Sequence, residues 1–148
     1  MCGVTGFFET NQQNNRAGLQ AVGQTMCAAL AQRGPDDEGS WQDPDLPLFL
    51  GHRRLSVIDL SAGGHQPMES ASGRFVIVFN GEIYNFPDLA RALESAGTPI
   101  SSRSDTAIML AAFEQWGVNQ ALQKLSGMFA FALWDRQSGQ LHLVRDRM

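Results

Sequence analysis

Residues 74–79 read RFVIVF, an almost unbroken apolar run that ends at Asn80-Gly81. A strand with one wet face alternates polar and apolar side chains, so the lack of alternation predicts a strand buried on both faces. Such a strand belongs in a layered fold, and it delivers the Asn80-Gly81 turn into the interior. Further strands are expected over residues 4–9, 39–42 and 48–53, where short apolar stretches are bounded by polar, Gly and Pro residues. Leu19, Val22, Met26 and Leu30 recur at helical spacing, which predicts an amphipathic helix ending near Gln32 with this stripe laid on a sheet.

The second half of the chain reads as two helices and a hairpin. Asn85 stands as an N-cap with Pro87 in the first turn, Leu89, Ala90, Leu93 and Ala96 form one face, and Gly97 closes the helix. Ser104 precedes Asp105, and Ile108, Ala111, Ala112 and Trp116 continue a helical stripe to Gly117. A short helical patch surrounds Leu122 and Leu125, and residues 128–135 and 140–145 form a hairpin turned by residues 136–139. Residues 59–73, with paired glycines, a proline and several serines, are too irregular for one element; they read as a lid or as a surface excursion. Strands and helices in mixed order without regular β-α-β alternation favour antiparallel sheets with segregated helices, an α+β fold.

Composition excludes several partners. A chain of 148 residues fits one domain with a single core, and 43% hydrophobic against 18% charged residues argues against disorder. The net charge of -4 offers no basic footprint for nucleic acid. No apolar stretch approaches the roughly 20 residues of a membrane span. Cys2 and Cys27 cannot build a disulfide framework, and the N-terminus lacks a secretory signal, which makes the cytoplasm the default compartment. His52, His65 and His142 with Cys27 have no zinc-like spacing, so no metal site is expected.

The chemistry starts at Cys2, directly after Met1. Removing Met1 leaves a thiol and a free α-amino group on one residue, with ordinary pKa values of about 8.5 and about 7.7–8.0, a nucleophile and base that need no histidine. If that thiol attacks a carboxamide, the oxyanion needs donors, and Asn80 with its side-chain amide and Gly81 with its backbone N–H are donors of the right type. Taken alone, Asn80-Gly81 also suits a hairpin turn, although Glu82-Ile83-Tyr84 leaves little room for a return strand. An amino-acid substrate further needs a cation for its carboxylate and carboxylates for its ammonium; Arg54 with Glu82 and Asp105 supplies these charges, and Asp105 alternatively serves the dipole of its helix.

These features accumulate in order along nearly the whole chain. Met1-Cys2-Gly3-Val4-Thr5-Gly6, Arg33-Gly34-Pro35-Asp36, GHRRLSVID at 51–59, FNGEIYN at 79–85, Ser104-Asp105-Thr106 and GMFAFALWD at 127–135 together resemble class II glutamine amidotransferases. The closest resemblance is to the glutaminase domain of glutamine-hydrolysing asparagine synthetases and their relatives in bacterial polysaccharide gene clusters. It implies an N-terminal nucleophile hydrolase fold, a four-layer αββα sandwich with mostly antiparallel sheets. By similarity Cys2 is the nucleophile, and Asn80 and Gly81 form the oxyanion hole. Arg54 holds the glutamine α-carboxylate, Glu82 and Asp105 hold its α-ammonium, and the backbone of Leu55, Ser56, Val57 and Ile58 lines the pocket.

The resemblance implies L-glutamine as substrate and a γ-glutamyl thioester on Cys2, from which water releases glutamate while ammonia passes to an ATP-using synthetase domain. Family members continue beyond the Arg145-Asp146-Arg147 segment, so residues 1–148 are expected to be a C-terminally truncated glutaminase domain lacking its closing strands and its synthetase domain. No cofactor is expected in this chain, ATP and Mg belonging to the absent domain. An open sheet edge would admit association with a second copy, a homodimer. The alternative reading is a non-catalytic fragment kept as an interaction or assembly module.

Overall fold

The computed structural model describes residues 2–9, 16–55, 62–100, 102 and 104–147. Along the chain these form β1 (Gly3–Phe8), α1 (Arg16–Ala29), β2 (Asp37–Gln42), β3 (Leu48–Arg54), a 3-10 turn (Ala62–Gly64), β4 (Met68–Glu69), β5 (Phe75–Ile83), α2 (Phe86–Ser95), α3 (Asp105–Trp116), α4 (Val118–Lys124), β6 (Gly127–Asp135) and β7 (Gln140–Arg145). The strands make a sheet ordered β1-β3-β2 and a sheet ordered β4-β5-β6-β7. The pairings of β3 with β1 and β2, of β4 with β5 and of β6 with β7 are antiparallel, as the element order predicts. The chain divides into two compact units, Met1–Pro67 with Val78–Asn80, and Met68–Ile77 with Gly81–Met148.

In the first unit, β3 is central, and Leu48, Phe49, Leu50, Gly51 and His52 are all buried. The stripe that α1 buries is Leu19, Gly23 and Cys27, whereas Val22 of the expected stripe is half exposed. Small residues mark the buried face because the helix approaches the sheet closely. A methyl group at Gly23 would overlap the Phe49 ring, and one at Gly51 would overlap the Cys27 sulfur. Hydropathy overlooks this face because it scores bulk rather than proximity. Phe7 stacks on Phe49 at 5.6 Å and extends the cluster.

β5 contributes to both units, and the second is built on its Phe75–Ile77 part with β6 and α3. Phe75, Val76, Ile77, Val78 and Phe79 are each at most 3% exposed, so the apolar run is buried on both faces as its pattern predicts. Burying one such side chain contributes about 1.5–3 kcal/mol. Phe75 meets Phe113 of α3 edge-on at 6.2 Å, and Phe113 meets Phe131 of β6 at 5.7 Å. Arg74 holds Asp135 through two charge-assisted bonds of 2.9 and 2.7 Å, and Asp135 also accepts the N–H groups of Gln137 and Ser138 in the β6–β7 turn. The Arg74 bond, working against the cost of burial, holds the Asp135 carboxyl well below the usual carboxylate range.

Three local expectations are corrected. β5 does not stop at Asn80-Gly81 but runs on to Ile83, because Gly81 lies against the Met128 carbonyl of β6 with φ at +149° and leaves no room there for a side chain. Asn85 occupies the N-cap of α2 without capping it; its side chain instead donates to the Lys124 carbonyl at 2.8 Å and accepts the Ser126 N–H at 2.9 Å. The described part of the irregular 59–73 segment carries a 3-10 turn and β4, with Ser70 accepting the Phe75 N–H at 3.1 Å and Ser72 bonded to Glu114. Ser104 caps α3 as expected, accepting the Ala107 N–H at 3.2 Å.

The close approach of α1 to β3 sets a stability test. Gly51→Ala is expected to cost about 2 kcal/mol in urea unfolding, as overpacking of a filled core does, and Cys27→Ala in the same chain should return part of that loss. Additive losses in the double variant would refute the contact.

Candidate active site

Cys2 precedes β1, whose Gly3 pairs with Arg53 of β3, so the register carries Cys2 to the end of the arginine pair. Its half-buried sulfur accepts the Leu55 N–H at 3.5 Å and donates to the Leu55 carbonyl at 3.9 Å. Cys27 differs in kind: it is fully buried, and burial first, then Glu38, pushes its thiol up, with Arg53 acting in the opposite sense.

Consecutive strand residues point to opposite faces, and Arg53 and Arg54 are used differently. Arg53 donates to the Gly34 carbonyl at 3.0 Å and pairs with Glu38, which ties the Arg33-Gly34-Pro35-Asp36 turn to β3. The Arg54 guanidinium lies over Gly64, where a methyl group would overlap it. Gly64, in the Gly63-Gly64 pair of the irregular segment, thus leaves the room that the Arg54 guanidinium occupies. His65 is engaged with Asp37 at 2.8 Å.

Asn80 falls in the same unit as Cys2, Arg54 and Leu55, and the division between the units runs through the Asn80–Gly81 peptide bond. In the second unit, Asp105 at the start of α3 accepts the Ile83 N–H at 3.3 Å and the Thr106 N–H at 2.7 Å. This fixes one expected ammonium-binding carboxylate beside the backbone of the residue after the other, Glu82, which is exposed. Ser56, Val57 and Ile58, expected to line the pocket, lie outside the described residues, as does Met1.

Two buried polar side chains carried no expected role. His52 of β3, 1% exposed, has Nε2 at 3.1 Å from the Phe79 carbonyl; since a carbonyl only accepts, Nε2 carries the hydrogen. Gln66 accepts the Phe79 N–H at 2.6 Å through its side-chain oxygen. Burial lowers the His52 pKa to about 4, with the Phe79 bond and Asp37 opposing and Arg54 and His65 assisting. A polar residue inside a strand was the only available signal for His52.

A family model described as a glutamine amidotransferase domain matches residues 1–148. The chain belongs to that family. The amidotransferase domain is 36% identical over 153 residues to asparagine synthetase [glutamine-hydrolyzing] 3 of Bacillus subtilis, covering 100% of this chain and 24% of the relative. It is 37% identical over 159 residues to a putative asparagine synthetase [glutamine-hydrolyzing] of Mycobacterium tuberculosis, covering 99% and 24%. It therefore spans about a quarter of the length of these curated relatives. Among solved structures, glutamine phosphoribosylpyrophosphate (PRPP) amidotransferase from B. subtilis, complexed with ADP and GMP, superposes with a TM-score of 0.62 at 18% identity over 90% of this chain and 34% of that one. At that identity the likeness shows the fold, the α+β N-terminal nucleophile hydrolase class. Among the described residues no helix is long and apolar enough to cross a membrane.

Two tests follow from the buried groups of the domain. Iodoacetamide on the native protein should modify Cys2 at least about 100-fold faster than Cys27, which should react only on unfolding; comparable rates would contradict the packing. Because the folded pKa of His52 is depressed below its ordinary value, its stabilising contribution is complete above about pH 6.5 and is lost as pH falls toward 4, by up to about 3 kcal/mol. Urea unfolding of wild type should thus show this extra acid sensitivity relative to His52→Gln, and ring NMR shifts that titrate near 6.5 would refute it.

Proposed function

We propose that this domain hydrolyses L-glutamine to glutamate and ammonia, with Cys2 as the nucleophile once Met1 is removed. The observation that carries this reading is the Cys2 sulfur held beside the Leu55 backbone N–H in a chain whose other cysteine is buried. The free α-amine takes the thiol proton, directly or through one water, and the sulfur attacks the glutamine side-chain carbonyl. Asn80 and Gly81 donate to the oxyanion that forms. The tetrahedral intermediate collapses, the amine returns its proton to the leaving nitrogen, and ammonia departs from a γ-glutamyl thioester. Water, activated by the same amine, then releases glutamate and restores the thiol.

Arg54 binds the α-carboxylate of glutamine, and Glu82 and Asp105 bind its α-ammonium, with Leu55, Ser56, Val57 and Ile58 lining the pocket. No cofactor enters this scheme, since one residue supplies both nucleophile and base. The relatives, named as glutamine-hydrolysing asparagine synthetases, support ammonia transfer to a synthetase domain of the full-length protein, where ATP and Mg would activate a carboxylate acceptor. That setting is cytoplasmic and is compatible with a homodimer. The match of a glutamine amidotransferase family model to residues 1–148 disfavours a purely structural module.

Glutamate release by the full-length protein decides between these readings. Cys2→Ala should lose more than about 1,000-fold in kcat, and Asn80→Ala about 100–1,000-fold. Mass spectrometry should find Cys2 as the first residue. Equal glutamate release by wild type and Cys2→Ala, or a retained Met1 in active protein, would overturn the assignment.

A further inference from the structure

In an extended strand the N–H and C=O of one residue point to the same side and normally find the same neighbouring strand. On β5 the ladder with β4 holds Met68 opposite Ile77 and Glu69 opposite Val76. At Phe79 side chains take over: Gln66 accepts its N–H at 2.6 Å, and His52 donates to its C=O at 3.1 Å. Both side chains are buried, at 6% and 1% exposure, and the residues they hold belong to the same compact unit. Gly39, which pairs with His52 in the β2–β3 ladder, makes the arrangement possible, because a methyl group there would overlap the Gln66 carbonyl.

We propose that His52 and Gln66 are positioning residues that clamp the two polar groups of Phe79 and thereby set the direction in which Asn80 presents its side-chain amide. The Phe79 carbonyl and the Asn80 nitrogen share one rigid peptide plane, so holding that oxygen fixes the plane from which the Asn80 Cα and Cβ depart. Gln66 fixes the preceding plane through the Phe79 nitrogen. With both planes held, β5 cannot rotate locally about the residue before Asn80. Neither clamp touches glutamine, so the effect is confined to the oxyanion, where a misplacement of about 1 Å costs about 100-fold. His52 suits the task because its neutral, buried ring offers a fixed donor throughout the physiological range.

The inference rests on the reading of Asn80 as an oxyanion donor, and the test separates the two. In the full-length protein, kcat and KM for glutamine are measured together with the Ki of the γ-aldehyde analogue of glutamine, whose hemithioacetal oxygen occupies the oxyanion position. His52→Phe, which keeps a ring and deletes the donor, should lower kcat by about 10–100-fold and raise the aldehyde Ki by the same factor, with KM and the iodoacetamide reactivity of Cys2 changed by less than about twofold. His52→Gln, which restores an N–H donor, should recover both quantities to within about threefold of wild type. Gln66→Met should shift kcat and Ki together while leaving KM in place, and it decides alone should His52→Phe not fold.

An unchanged kcat and Ki in the folded variants, a loss expressed mainly in KM, or a His52→Gln variant no better than His52→Phe would overturn the clamp. Wild type impaired by Asn80→Ala but not by these variants defeats the clamp alone. Wild type that releases no glutamate defeats the functional reading beneath it.

Discussion

A buried strand must satisfy each of its backbone polar groups, and the chain meets this demand along β5 by changing partners. β4 lies opposite Val76 and Ile77, β6 lies along the other side, and at Phe79 two buried side chains replace a strand. An unpaired buried N–H or C=O costs about 1–3 kcal/mol, so the side-chain partners are needed for the strand to stay buried as far as Asn80. Because β5 is apolar on both faces, it cannot relieve the demand by turning one face to water.

Close approach is the second organising constraint. Gly23, Gly39, Gly51, Gly64 and Gly81 each sit where another part of the same unit occupies the space of a side chain. The consequences differ: Gly23 and Gly51 let a helix lie on a sheet, Gly64 receives the Arg54 guanidinium, and Gly39 seats Gln66. Stability and site geometry are therefore coupled in the first unit, since β3 carries both the helix contact at Gly51 and the polar residues His52, Arg53 and Arg54.

Much of the fold is legible in the sequence, because strand and helix periods are local. The RFVIVF run, the Ser104 cap and the hairpin over residues 128–145 all read correctly. Two of the misreadings share one cause. Val22 was expected in the buried stripe, yet the helix buries Gly23 instead, because only a residue without a side chain permits the short distance to Phe49. Asn80-Gly81 looked like a stop, yet the strand continues because β6 fills the space beside Gly81.

For the site, the order of motifs determined the family, and the local chemistry of Cys2, Asn80, Arg54 and Asp105 nominated their roles without any coordinates. What the sequence could not contain is proximity. The Cys2 sulfur meets Leu55 across 53 positions and His52 meets Phe79 across 27, and no periodicity or spacing encodes such contacts. The clamp on Phe79 and the seat of Arg54 over Gly64 exist only because the folded chain brings distant residues into one low-dielectric interior. There an isolated histidine or glutamine becomes a fixed hydrogen-bond partner rather than a solvated side chain.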